Sequence, residues 1–269
     1  MSSAAEADPI RFSVTDGLAR ITLNRPERLN AVDPAAIDRW QWIAHEVADR
    51  DDIGAVLFDA VGRAFCAGGD VLAMSQLAAE QSDASATIQD LADRIHDGHR
   101  TLRESAKPIV AAVQGPVAGG GLGFMLVADL VVASDRATFA SRYVDVGLTP
   151  DCGVSTLLPE AVGTRRALEL TLTPRTLTAA EALDWGLVSE VVAPEDVADR
   201  ARAIADSWLR GATDAFGQAK RLVRSGLTRS FQEALDDEAR TIGAAFATPE
   251  AQAAIAAFAA RSARPRSTD

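Results

Sequence analysis

A chain of 269 residues, 48% hydrophobic and 24% charged, has the composition of a folded globular protein with a sizeable core, which excludes general disorder. A formal net charge of −11 argues against nucleic acid or an anionic membrane as the main partner, because neither attracts an acidic surface. An anionic small ligand remains compatible with that charge, since Lys107, Arg165, Arg166, Lys220 and Arg221 can override the global field locally.

The elements follow in chain order. Residues 1–9 are polar and read as a disordered start, with neither the basic nor the apolar region of a secretory signal. Residues 10–23 alternate apolar and polar positions on both sides of Asp16-Gly17, which predicts a hairpin with a tight turn. Asp33 before Pro34 is an N-cap followed by a first-turn proline, and Ile37, Trp40, Ile43 and Val47 recur at helical spacing. A buried strand is predicted over residues 55–58, then a glycine loop over 62–70 and a helix over 84–102. The next strand spans residues 108–113, followed by a glycine loop over 115–123, an apolar helix over 124–128 and a strand over 130–133. Strand, glycine loop and helix thus recur at a period of roughly 50 residues, the rhythm of an α/β fold whose functional loops leave the ends of buried strands.

Beyond about residue 155 the pattern is helical. Thr164 opens one helix, Thr178 with Glu181 forms a capping box for another that Gly186 ends, and Thr248-Pro249 opens the last. The apolar stripes of residues 230–246 and 249–261 need a surface to pack on, either the core or a neighbouring subunit. Residues 10–200 are therefore read as the core, 201–264 as a helical C-terminal region and 265–269 as a disordered tail. No stretch approaches a membrane span, and Cys66 and Cys152 are read as buried thiols in a reducing, cytoplasmic setting.

Two loops carry the candidate chemistry. Ala64-Phe65-Cys66-Ala67-Gly68-Gly69-Asp70 is built of small residues that permit close backbone approach. Gly115-Pro116-Val117-Ala118-Gly119-Gly120-Gly121-Leu122-Gly123 follows a strand and leads into a helix, whose first N–H groups have no intrahelical partner and favour an anion. A dinucleotide fingerprint fits poorly: counted from Gly119, its third glycine falls on Phe124, and no Walker lysine follows.

Together with Asn24-Arg25-Pro26, Asn30-Ala31, the run from Lys107 to Gly115, Ala179-Ala180-Glu181-Ala182 and Gly186-Leu187-Val188, these loops come in the order and spacing of the enoyl-CoA hydratase/isomerase (crotonase) superfamily, which the sequence resembles over roughly residues 10–250. The resemblance implies an α/β fold, a crotonase-like spiral of ββα units with a helical C-terminal subdomain that assembles homotrimers or hexamers. It implies an acyl-CoA thioester as substrate, with coenzyme A arriving as part of that substrate and no separate cofactor or metal. The backbone N–H groups of Gly69 and Gly120 would form the oxyanion hole for the thioester enolate. Ala64, Cys66, Ala67 and Gly68 would lie toward the adenine end, while Asp70, Val71, Met74 and Tyr143 would border the acyl group.

The two glutamates of a hydratase in this family fall on Gly123 and Tyr143, neither of them a carboxylate. Val146-Gly147-Leu148-Thr149-Pro150-Asp151-Cys152-Gly153 instead resembles the loop that carries the single acid of Δ3,Δ2-enoyl-CoA isomerases, which assigns catalysis to Asp151. Three readings follow: an isomerase using Asp151; another crotonase reaction, such as hydration by other groups or dehalogenation with Asp151 as nucleophile and a histidine base; and a non-catalytic acyl-CoA-binding protein. Asp145 is expected on the surface, Asp70 and Asp129 as loop-fixing acceptors, and the His96/His99 pair as a solvated helix face.

Overall fold

The computed structural model describes residues 8–80 and 83–262, so residues 1–7 and the tail at 265–269 lie outside the described residues. Asp8 and Pro9, at the edge of the polar start, are tied down: their carbonyls accept from Asn24 Nδ2 (3.0 Å) and Asn24 N (2.9 Å). The expected hairpin is present as β1 (Ile10–Thr15) and β2 (Leu18–Leu23), paired from Ile10↔Leu23 to Thr15↔Leu18. Asp16 (φ 50) and Gly17 (φ 81) make the two-residue turn, in the left-handed conformation that the twist of a hairpin requires.

Strand β2 starts a parallel series with β3 (Ala55–Ala60), β4 (Ile109–Val113), β6 (Leu130–Ser134) and β9 (Glu190–Val192), giving the order β1-β2-β3-β4-β6-β9. A second sheet joins β5 (Val117–Ala118), β7 (Thr138–Ala140) and β8 (Leu177–Thr178). The alternation of side chains along each strand divides the core in two. Val56, Phe58, Ile109, Ala111, Val113, Val131 and Ala133 face the larger cluster, with α1 (Pro34–Asp49) and α3 (Ala84–Glu104). Ala55, Leu57, Val110, Ala112 and Val132 face α8 (Val197–Arg210) on the other side. A sheet covered on both faces explains why these strands read as continuous apolar runs.

Between α1 and α3 on the path of the chain runs α2 (Val71–Glu80). The helix α4 (Gly121–Leu126) begins earlier than the apolar run at Phe124 suggests, because its glycines belong to the first turn. The chain continues through α5 (Val154–Val162), α6 (Thr164–Leu172) and α7 (Ala179–Trp185), with the expected capping box of Thr178 and Glu181 in place. The C-terminal helices are α9 (Thr213–Gly226), α10 (Phe231–Phe246) and α11 (Pro249–Ser262), and they expose apolar side chains such as Phe231, Ile242 and Phe258. Among the described residues no helix is long and apolar enough to cross a membrane.

Lys220, one of the cations offered above for an anionic ligand, is spent internally. Its ammonium is buried and donates to the carbonyls of Leu102 and Lys107 (both 2.8 Å), 3.3 Å from Asp129. Asp129 also accepts from Ile109 N (2.8 Å) and Arg224 (2.8 Å), the loop-fixing role expected of it. This cluster fastens α9 to the entry of β4. Burial lowers the Lys220 pKa to about 8.

The His96/His99 pair is not a solvated face. His99 is buried against Trp40 and Phe124, and Trp40 Nε1 donates to its Nδ1 at 3.0 Å. Its proton therefore sits on Nε2, which has no partner among the described residues. Burial first, and His96 second, push its pKa down to about 3. The unfolded chain takes up this proton near its ordinary 6.5, so the stability that neutral His99 contributes is present above that pH and is lost as pH falls toward about 3. In urea titrations, lowering the pH from about 7 to about 5 should reduce the wild-type midpoint, and His99→Gln should flatten that fall.

Candidate active site

The first loop is held rigid by side-chain amides. Asn30, 2% exposed, donates to the carbonyls of Val61 and Ala64 (both 2.9 Å), and Gln114 donates to those of Ala60 (3.1 Å) and Ala64 (2.9 Å). Beyond it, Val32 N donates to Gly68 O (2.8 Å) and Asp70 N donates to Val32 O (3.0 Å). In such a bridge the groups of the intervening residue point away from the partner strand. Gly69 N–H is left on the far side, and it has no hydrogen-bond partner among the described residues.

The second loop meets the first backbone to backbone. A Cβ on Gly68 would lie 2.9 Å from Ala118 O and 3.0 Å from Gly120 N, and Gly68 has φ +93. Gly119 (φ +53) donates to Ala140 O at 3.1 Å, and Gly120 then caps α4 with its own N–H unpartnered among the described residues. Two free N–H groups are thus brought to one place, beside a cavity of about 410 Å³ that both glycines line.

Asp151 completes the site. It is half-buried in a loop whose ends are pinned: Asp151 O accepts from Val154 N (2.9 Å) at the start of α5, and Cys152 N donates to His96 Nε2 (3.1 Å) on α3. The Tyr143 phenol, 7% exposed, donates to Asp151 Oδ1 at 2.6 Å. A Cβ on Gly120 would lie 3.7 Å from Asp151 Oδ1 and 3.6 Å from the Tyr143 hydroxyl, so the carboxylate stands beside the second free N–H group. Burial first, then Cys152 and Asp151, drive the Tyr143 pKa far above the ordinary phenol value, so it stays a protonated donor.

Three carboxylates border the cavity, and two of them are engaged elsewhere. Asp33 caps α1 through Ala36 N (2.9 Å) and pairs with Arg25 (3.0 Å). Asp70 accepts from Ala73 N and Arg25 (both 3.2 Å). Burial would raise the Asp70 pKa, but these partners outweigh it and hold it below the usual carboxylate range. Asp151 has no cationic partner among the described residues. Most of the wall is apolar, with Ile37, Met74, Ile88, Leu91, Ile95 and Phe124 drawn from α1, α2, α3 and α4, while Ser85, Gln89, Arg142 and Thr149 add polar groups.

Of the residues expected at the substrate, Ala67, Gly69, Asp70, Val71, Met74, Gly120, Tyr143 and Asp151 line the cavity. Ala64, Cys66 and Gly68 are buried behind it instead. There Ala64 O accepts from Asn30 and Gln114, Gly68 O from Val32 N, and the Cys66 thiol donates to Asn30 O at 3.3 Å. Burial pushes the Cys66 pKa up to about 12 and also raises that of Cys152, so both thiols stay protonated. Asp145 is exposed and pairs with Arg142 (3.1 Å). Sequence reasoning missed His96 as a partner of the Asp151 loop, because the hydrogen bond crosses 56 positions and no local pattern signals it. Among the described residues no group of three or more His, Cys, Asp or Glu is placed to hold a metal ion.

The glycine at position 123 is demanded by packing. A Cβ there would lie 2.0 Å from Cys152 O and 2.7 Å from Cys152 Cβ.

The model of the enoyl-CoA hydratase/isomerase family matches residues 13–265. The chain is 32% identical to 4-chlorobenzoyl coenzyme A dehalogenase-2 of an Arthrobacter species, covering 91% of this chain and 88% of that protein. It is 33% identical to 1,2-epoxyphenylacetyl-CoA isomerase of Escherichia coli, covering 85% and 86%. A solved enoyl-CoA hydratase/isomerase from Cupriavidus metallidurans superposes with a TM-score of 0.85 at 33% identity, covering 94% of each chain.

The packing at position 123 predicts that Gly123→Ala lowers the thermal unfolding midpoint by more than about 3 °C through overpacking. Gly123→Glu should be more damaging still and gain no hydratase activity, as read by thermal scans and water addition to a 2-enoyl-CoA.

Proposed function

The chain belongs to the enoyl-CoA hydratase/isomerase family, and we propose that within it the protein is a Δ3,Δ2-enoyl-CoA isomerase with Asp151 as its single acid–base group. The observation that carries this reading is the isolation of Asp151: the one cavity carboxylate without a cationic partner among the described residues stands beside Gly120 in an apolar site. In this reading the thioester carbonyl accepts hydrogen bonds from Gly69 and Gly120 N–H. Asp151 removes a proton from C2 of a 3-enoyl thioester, the C–H electron pair enters a dienolate, and the same carboxyl returns the proton at C4. The two donors stabilise the charge that develops on oxygen, and loss of one such donor typically costs about 3 kcal/mol.

Hydration by a pair of glutamates is disfavoured on packing grounds, because position 123 has no room for a side chain and Tyr143 holds its proton. The apolar wall suits an acyl chain, and the exposed apolar faces of α10 and α11 support assembly into a trimer or hexamer.

One observation favours a second reading. Its support is the 32% identity to 4-chlorobenzoyl coenzyme A dehalogenase-2; dehalogenation with Asp151 as nucleophile needs a histidine base, and the Nε2 of His96, the histidine held to the Asp151 loop, is engaged as the acceptor of Cys152 N (3.1 Å). The two readings separate on substrate: release of chloride from 4-chlorobenzoyl-CoA supports displacement, while conversion of a 3-enoyl-CoA to its 2-enoyl isomer supports the proton shift. For the isomerase, Asp151→Asn should lower kcat by about a hundredfold or more while the thioester still binds. Wild-type protein that binds the thioester but turns over none of these substrates would leave a binding protein in place of an enzyme.

A further inference from the structure

We propose that Tyr143 is a positioning residue for this reaction: its phenol holds Oδ1 of Asp151 and thereby assigns proton transfer to Oδ2. The inference rests on the reading of Asp151 as the base. An aspartate carboxylate turns about Cα–Cβ and Cβ–Cγ and presents either oxygen over a range of angles, and a misplacement of about 1 Å in a reacting group can cost a hundredfold in rate. Tyr143 removes that freedom. Its hydroxyl lies 2.6 Å from Oδ1 and 3.3 Å from the Asp151 carbonyl, so one donor grips both the side chain and the backbone of the base.

The phenol is itself fixed. Tyr143 O accepts from Val146 N (3.2 Å) and Leu148 N (3.0 Å), which closes the turn leading to Asp151, and the ring is 7% exposed. The neighbouring cation does not compete: Arg142, at φ 60, donates away from Asp151 to Asp145 (3.1 Å) and Thr176 (2.8 Å). A neutral donor orients the carboxylate without cancelling its charge, which an arginine in the same place would do.

Through the cycle Oδ2 takes the C2 proton, the C–H pair enters the dienolate, and the new O–H proton is delivered to C4 as the thioester re-forms. The phenolic proton stays on Tyr143 throughout.

The test compares Tyr143→Phe, Asp151→Asn and the double variant in isomerisation of a 3-enoyl-CoA. Tyr143→Phe should lower kcat by about tenfold to a hundredfold with KM changed less than about threefold, and the double variant should be no slower than Asp151→Asn alone. Wild-type kcat in Tyr143→Phe overturns the inference and leaves Asp151 as the base; so do losses that multiply in the double variant, which assign the phenol a role independent of Asp151. Full activity in Asp151→Asn overturns both the inference and the reading beneath it. The sequence contains one tyrosine, so uniform 3-fluorotyrosine incorporation reports this ring alone. Its ¹⁹F signal should shift between wild type and Asp151→Ala, and an unchanged signal contradicts the contact even where a variant folds poorly.

Discussion

The approach of two backbones at Gly68 and Gly119–Gly120 is the contact on which the site depends. No side chain can enter there without driving the loops apart, since a Cβ on Gly68 would meet Gly120 N at 3.0 Å. What the contact achieves is electrostatic. The N–H groups of Gly69 and Gly120 have no partner among the described residues, and both glycines line the same cavity. Donors fixed by the surrounding fold need no reorganisation when charge appears, which is why such preorganisation can supply a large share of a rate enhancement. The rigidity is provided at a distance, by Asn30 and Gln114 clamping the first loop and by α4 packing its glycines onto Cys66 and Cys152.

Beside Gly120 the site carries one carboxylate, Asp151, without a cationic partner among the described residues. Position 123 has no room for a side chain, and the Tyr143 phenol keeps its proton. With Cys152 filling the space beside Gly123, the loop that bears Asp151 sits close against Gly120. Asp33 and Asp70, though they border the same cavity, are neutralised by Arg25 and serve as caps for α1 and α2.

Much of this was legible in the sequence where the signal is local. The hairpin at Asp16-Gly17, the Asp33-Pro34 helix start and the Thr178/Glu181 capping box each depend on residues within a few positions of one another, and each is present. The two glycine loops and Asp151 were legible because several motifs stand in register, and the structure brings them to one cavity. What escaped depends on long-range packing. The short strands β5, β7, β8 and β9 have two or three residues each, too few to show a period. His99 looks like a surface residue until Trp40, 59 positions away, is found donating to it. Lys220 reads as a free cation until α9 folds it onto Asp129 and two carbonyls.

The central claim is that a lone carboxylate and two backbone donors generate an enolate at C2. It is tested most directly by following a 3-enoyl-CoA dideuterated at C2 through turnover by nuclear magnetic resonance. The account predicts that one deuterium leaves C2 and that part of it is recovered at C4 of the 2-enoyl product, because the group that removes it also returns it. Retention of both deuterons at C2 would contradict enolisation and the mechanism built on it.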